Sequence, residues 1–195
     1  MASTNIKRGI FNLCLLICFA SAEAFAGTPI EQIQETIQQV LVIVNGPSSQ
    51  TDAERKGMLR DALMPRFDWL EMAKQALGKH WNNVSGRQYE FVAVFAEFLG
   101  NAYVGKIGSY KDEKIVFVQE SIEKDQAKVD TKVIPGAGEP TSVNYRLHQV
   151  KGEWMIYDVV VEDISIVANY RAQFNRILSR TSFDDLLKRL KEKNL

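Results

Sequence analysis

The sequence predicts an α+β fold, a four-stranded antiparallel twisted sheet with helices packed over one face, and three observations predict it. Apolar residues recur at helical spacing from Ile30 to about Lys106. From Ile115 the period changes to two and holds through four runs joined by hairpin-like turns. After Ser165 the helical period returns. No linker, repeat or low-complexity tract divides the chain beyond its first 26 residues, so a single domain is expected over residues 27–195. At that length a domain buries about 70% of the surface of its extended chain.

Each element has its own signal. Thr28-Pro29-Ile30-Glu31 reads as a capping box with proline at the first helical position. Ile30, Ile33, Ile37, Val40, Leu41 and Val44 mark one face of the helix it opens, and Asn45-Gly46-Pro47 ends it. A weaker helix covers Asp52 to Leu63. The stretch "FDWLEMAKQALG" reads as a turn and a short helix stopped by Gly78. Ser85 with Gln88 reads as another capping box, opening a long helix to about Lys106. On it Phe91, Phe95, Phe98 and Ala102 form a stripe, with Val92, Leu99 and Tyr103 beside it, an arc wide enough to be covered on more than one side. Gly100 inside that helix costs about 1 kcal/mol against alanine, which points to close packing there.

"KIVFVQES", "QAKVDTKVIP", "TSVNYRLHQV" and "EWMIYDVVVE" read as the strands. Val129, Thr131 and Val133 alternate with Lys128, Asp130 and Lys132, and Val143, Tyr145 and Leu147 with Asn144, Arg146 and His148, so one face is apolar and the other wet. The last strand is apolar on both faces. A three-residue turn at Lys151-Gly152-Glu153 sets Arg146 beside Asp158 on the outer face, whereas a two-residue turn buries Asp158 against Tyr145. Burying an unpaired carboxylate is costly, which favours the first register. Val167, Tyr170, Phe174, Ile177 and Leu178 then line a helix, and Phe183, Leu186, Leu187 and Leu190 a last short one.

The first 26 residues read differently. Lys7 and Arg8 precede an apolar run from Ile10 to Ala20, too short to span a bilayer comfortably, and Ala24-Phe25-Ala26 places small residues at −3 and −1 of a signal peptidase site. Ser21 and Glu23 follow the run at once, against a membrane anchor. Cleavage after Ala26 is expected, giving an exported, soluble protein. Cys14 and Cys18 lie inside the leader, so no disulfide, thiol nucleophile or cysteine metal site is expected in residues 27–195. Losing the leader removes two of 24 basic and one of 24 acidic residues, leaving the chain within about one charge of neutral. Such a balance gives no bulk electrostatic reason to bind nucleic acid or anionic lipid surfaces.

Little chemistry is visible. His80 and His148 stand in a loop and on a wet strand face without zinc spacing. Asp68 and Glu71 read as the cap and first turn of a helix, where acids are favoured. Nothing around Ser85 resembles a nucleophile elbow. No enzyme activity, metal or cofactor is expected. The apolar surplus could be an ordinary core or the wall of a ligand cavity.

Three stretches decide between these by resemblance. "FDWLEMAKQALGKHW" (Phe67 to Trp81), "RQYEFVAVFAEFLGNAYVGKIGSY" (Arg87 to Tyr110) and "WMIYDVVVEDISIVANYRAQFNRIL" (Trp154 to Leu178) resemble the MlaC family, periplasmic phospholipid-binding or toluene-tolerance auxiliary proteins. Asn-Tyr-Arg-x-Gln-Phe is the most specific motif, and a departure lies upstream in "VEDISIV", where the family often has glycine instead of Asp163. The resemblance implies a periplasmic phospholipid carrier with no cofactor. Its implied partners are an outer-membrane lipoprotein complex and an inner-membrane ABC transporter bearing an MCE-domain subunit, in the maintenance of outer-membrane lipid asymmetry. A monomer and no nucleic-acid partner are expected. The alternatives are a hopanoid-linked carrier of the same family, and a small cone-shaped α+β enzyme using Asp68 or Asp158 as base. The lipid cavity expected between sheet and helices is lined by Phe67, Met72, Phe95, Phe98, Leu99 and Tyr103 from the helices. Val133, Tyr145, Leu147, Tyr157 and Val159 come from the sheet, and Ile164, Val167, Tyr170 and Phe174 from the corner and following helix.

Overall fold

Helix α1 (Pro29–Val44) begins at the expected capping box: Thr28 Oγ1 accepts from Glu31 N–H, and the Glu31 carboxylate accepts from Thr28 N–H. The computed structural model describes residues 27–47, 49–108 and 113–195, so the expected leader and its cleavage site lie outside them, as does Tyr110. Helix α2 (Asp52–Leu63) has a second box, Thr51 with Glu54. A 3-10 turn over Met64–Arg66 leads to α3 (Trp69–Leu77), which Asp68 caps by accepting from Glu71 N–H at 2.9 Å. Another 3-10 segment, Gly78–Val84, precedes α4 (Gln88–Ile107).

The start of α4 corrects one expectation. Arg87 stands at the N-cap position and Ser85 makes no capping bond. Gly86, at φ +84°, turns the chain, and Gln88 Oε1 reaches back to Gly86 N–H instead. A left-handed glycine places the turn one residue later than the Ser/Gln spacing suggests. Within α4 the close approach at Gly100 is real: a Cβ there would meet Met64 Sδ at 3.3 Å and the Arg60 guanidinium at 3.4 Å.

The sheet has five strands among the described residues, not four. β1 (Lys114–Glu123), β2 (Gln126–Ile134), β3 (Thr141–Val150), β4 (Glu153–Val161) and β5 (Ile164–Ser165) pair antiparallel in that order. The two-residue β5 is too short for any periodicity to reveal it. It follows a tight turn in which Glu162 and Asp163 both have positive φ, +48° and +64°. The position of Asp163 is therefore one that suits glycine, and aspartate is among the few side chains that tolerate it.

Neither expected β3–β4 register holds along the whole hairpin. Val150 pairs with Glu153 across a two-residue turn, and a bulge at Tyr157 then shifts the register so that Arg146 faces Asp158. The Arg146–Asp158 pairing is as expected, but its place is not. Asp158 is 2% exposed rather than on a wet outer face. Its Oδ2 accepts from Arg146 Nη1 at 3.1 Å and from the Ser165 hydroxyl at 2.6 Å, and its Oδ1 accepts from Val167 N–H at 3.1 Å. Ser165 in turn caps α5 (Ile166–Leu178), and α6 (Phe183–Lys191) closes the chain.

Three apolar cores result. Helices α3 to α6 share the largest, centred on Phe91, Phe95 and Phe174; the Phe174 ring meets the other two edge to face at 5.5–5.7 Å, and Phe91 stacks on Phe95 at 5.5 Å. The second lies between α1 and the sheet, where Ile33 meets Val129, Leu147, Trp154 and Ile156. Ile43, Leu59 and Val104 form a small third under α1, α2 and α4. Helices do not all cover one face. α1 covers the face carrying Tyr145, Leu147 and Val159, while Asp158 and Val160, pointing the other way, are buried too. That is why β4 is apolar on both sides.

Asp158→Ala leaves the Val167 amide buried without an acceptor and removes a charge-assisted bond. A loss of about 2–4 kcal/mol is expected in urea unfolding. A loss below about 0.5 kcal/mol, the size of a surface substitution, would show that the carboxylate does not anchor α5.

Candidate functional site

Residues that oppose one another in an antiparallel pair point to the same face, so the register defines a single surface. Starting at β1 it runs Ile115–Val133, Phe117–Thr131, Val129–Tyr145, Val143–Val161, Tyr145–Val159 and Val161–Ile164. α1 covers only one end of it. There Ile30 N–H donates to Glu120 Oε1 at 2.6 Å and Trp154 N–H donates to Gln32 Oε1 at 3.1 Å, clamping the helix over Ala127, Val129 and Leu147. Beyond the clamp the same face carries Ile115, Phe117, Val133, Val143, Tyr145, Val159 and Val161, all half-buried, and Ile164 at 62% exposure. This is an apolar belt, interrupted by the buried Thr131, that the protein leaves partly open.

The fifteen expected lining residues do not form one wall. Met72, Phe95, Leu99, Val167 and Phe174 are fully buried in the helical core, with Phe98, Tyr103, Tyr157 and Tyr170 packed at its margin. Leu147 is buried in the sheet core, with Tyr145 and Val159 at its margin. Phe67 packs against both cores and so joins them. Its backbone forms a parallel bridge with Ile156, and Asp68 N–H donates to Ile156 O at 2.8 Å, so α3 starts along the free edge of β4. Val133 and Ile164 belong to neither core and lie on the open belt. Ile115, Phe117, Val143 and Val161 complete that belt. The alternation that selected Tyr145 and Leu147 also selects Val143, so the signal was present.

Both carboxylates that could serve as a base are already engaged. Asp158 is held by three donors, and Asp68 is held by the Glu71 amide and by His148, whose Nε2 lies 2.9 Å from Asp68 Oδ2. His148 is thus not a solitary surface histidine: it ties β3 to α3 and stacks edge-on against Tyr157 at 5.3 Å. Among the described residues no group of three potential metal ligands occurs, and no helix is long and apolar enough to cross a membrane. At the helical margin Tyr103 hydrogen-bonds Tyr170, and burial first, then Tyr103, pushes the Tyr170 phenol up to about 12. Burial likewise raises Tyr157, against the opposing pull of Arg146.

Two surface cavities stand apart from the belt. One of about 440 Å³ lies between Leu77, Lys79 and His80 on one side and Ala168, Arg171, Ala172 and Asn175 on the other. One of about 560 Å³ is lined by Ser49, Gln50, Glu54, Gly57, Met58 and Asp61. Neither is an apolar chamber.

The fold is similar to that of a phospholipid-binding protein from Ralstonia solanacearum solved in complex with a phospholipid. The two superpose with a TM-score of 0.75 at 20% identity, over 84% of this chain and 95% of that one. The chain belongs to the MlaC family, whose model, described as MlaC protein, matches residues 34–192. Two relatives agree. One is the intermembrane phospholipid transport system binding protein MlaC of Haemophilus influenzae, 23% identical over 69% of this chain and 66% of that protein. The other is the toluene tolerance protein ttg2D of Pseudomonas putida, 25% identical over 92% of this chain and 85% of that protein.

Because the folded Tyr170 phenol titrates near 12, above the unfolded value of about 10, the folded state holds this proton longer. Its contribution to stability is therefore complete below about pH 10 and is lost as pH rises towards 12. Tyr170→Phe should flatten the fall of Tm between about pH 10 and 12 relative to the parent. Parallel curves for the two proteins would refute the assignment.

Proposed function

We propose that this protein is a periplasmic phospholipid carrier. On this reading it is exported by cleavage after Ala26, and residues 27–195 form one lipid-binding domain. It takes lipid from or gives it to an outer-membrane lipoprotein complex and an inner-membrane ABC transporter with an MCE-domain subunit, keeping the outer membrane asymmetric. The observation that carries the proposal is the open belt of half-buried apolar side chains on the sheet, Ile115 to Ile164, in a chain of the MlaC family. Each methylene kept from water is worth about 0.8 kcal/mol, so two acyl chains exposed in the periplasm would cost more than roughly 20 kcal/mol. A surface that hides them needs little specific bonding, because passage from bilayer to apolar wall is nearly neutral. The acyl chains would lie along the belt and push the two cores apart at Phe67, with the head group left near solvent.

Mass spectrometry of the protein recovered from the periplasm tests both parts. The intact mass should begin at Gly27, and an organic extract should contain phospholipid. A chain retaining Met1, or an extract holding a hopanoid or no lipid, would overturn the corresponding part. Ile164 supplies a sharper test because it is exposed at the rim of the belt and contributes to no core. Ile164→Glu should fold with Tm nearly unchanged, as surface substitutions do within about 0.5 kcal/mol, yet lose most of its lipid, since a carboxylate resists dehydration beside hydrocarbon. A folded variant that keeps its lipid would remove Ile164 from the rim.

A further inference from the structure

The chain is neutral overall, yet its charge is not evenly spread. No acidic residue occurs between Glu71 and Glu90, nor between Asp163 and Asp184. The first segment holds Lys74, Lys79 and Arg87, the second Arg171, Arg176 and Arg180. The fold sets these two acid-free segments against each other, because α5 packs along α3 and the 3-10 segment after it. Lys74 and Arg87 are neutralised by Glu71, Glu90 and Asp184. The side chains of Lys79 and Arg171 have no ion pair or hydrogen bond among the described residues.

Both cations line the cavity of about 440 Å³, a size within the ~300–1,000 Å³ range of small-ligand sites. Ala168 and Ala172 keep its α5 wall low. His80 Nε2 sits 3.0 Å from Asn175 Oδ1, so the carboxamide oxygen of Asn175 is engaged and its NH2 group is turned the other way, available as a donor. Beside the cavity, Gly78 has φ +52° and the Arg171 stem lies against it: a Cβ at Gly78 would meet Arg171 Cδ at 3.1 Å. Two unpaired cations and an amide-bearing residue line a concave space with no carboxylate in its lining.

We infer that this cavity between α3 and α5 is a binding site for a phosphate-type oxyanion, distinct from the apolar belt. Arg171 offers a planar fork to two oxygens, Lys79 a point charge, and Asn175 a neutral donor that orients the group. The oxyanion comes either from a lipid head group at an anionic membrane surface or from a small soluble phosphate compound. The proposal does not depend on acyl chains lying on the belt.

Inorganic phosphate titrated into the protein at low salt should shift the NMR signals of the Asn175 side-chain amide and Arg171 Nε–H saturably. Each of Lys79→Gln and Arg171→Gln should weaken that binding about tenfold, as loss of one charge-assisted bond does. The double variant should keep the parent's Tm and whatever lipid the parent carries. In a second arm the protein is sedimented with phosphatidylcholine vesicles, with and without phosphatidylglycerol. Phosphatidylglycerol-dependent sedimentation that phosphate competes away supports the site and assigns it to a head group. Saturable phosphate binding without vesicle binding supports it and assigns it to a soluble compound. Absence of both, or binding that survives in the double variant, overturns it. So does a fall in Tm of the double variant with no phosphate response in the parent, since the cations would then only neutralise the carbonyl end of α3.

Discussion

The carboxylate of Asp158 is the contact on which the arrangement of the other elements depends. It stands on β4, accepts from Arg146 on β3, from Ser165 at the end of β5, and from the second amide of α5. A buried carboxylate is tolerated only when such partners replace its water. Here the partners come from three elements, so satisfying the charge also sets the angle at which α5 leaves the sheet. From that angle follow the placement of Tyr170 and Phe174 against α4 and the packing of α3 between α5 and β4. The bulge at Tyr157 belongs to the same device. Without the extra residue Asp158 would point to the other face, towards Tyr145 and away from Ser165 and the start of α5.

The helical core and the sheet core are therefore separate bodies joined at few points. Phe67 is shared by both, and Asp68 with His148 clips the start of α3 to β3. On the sheet, α1 is held at one end by the amides of Ile30 and Trp154, which donate to Glu120 and Gln32 and set where it lies independently of how much apolar surface remains beyond it. An ordinary core would extend a helix over that remainder. This one stops, and a row from Ile115 to Ile164 stays half-covered. Exposed apolar area of this kind is costly in water unless something occupies it.

α5 separates the two kinds of surface. Val167, Tyr170 and Phe174 face the helical core, while Ala168, Arg171 and Asn175, each one residue along, and Ala172 face the cavity. One helix thus carries hydrocarbon on one side and uncompensated positive charge on the other. Net charge near zero conceals this, because the balancing acids sit elsewhere in the chain. The two acid-free segments lie roughly ninety residues apart, and only tertiary packing adds their fields together.

What the sequence made legible was local chemistry. The box at Thr28, the cap at Asp68 and the stop at Gly78 depend on residues within four positions, and all are present. Strand alternation likewise assigned Tyr145, Leu147 and Val133 to one face without any partner being known. Illegible were the features whose cause is distant. A bulge is a mismatch between two strands, so nothing in "EWMIYDVVV" alone announces that Tyr157 is the extra residue. His148 and Asp68 are 80 residues apart, and neither spacing nor composition could pair them. The lining residues were mixed for the same reason. Phe95 and Tyr145 are equally apolar positions on equally good periodic faces, but whether two faces meet each other or turn away is decided by Asp158 and Phe67, not by the stripes themselves. Periodicity says which side of an element must be covered; only the anchoring polar contacts say by what.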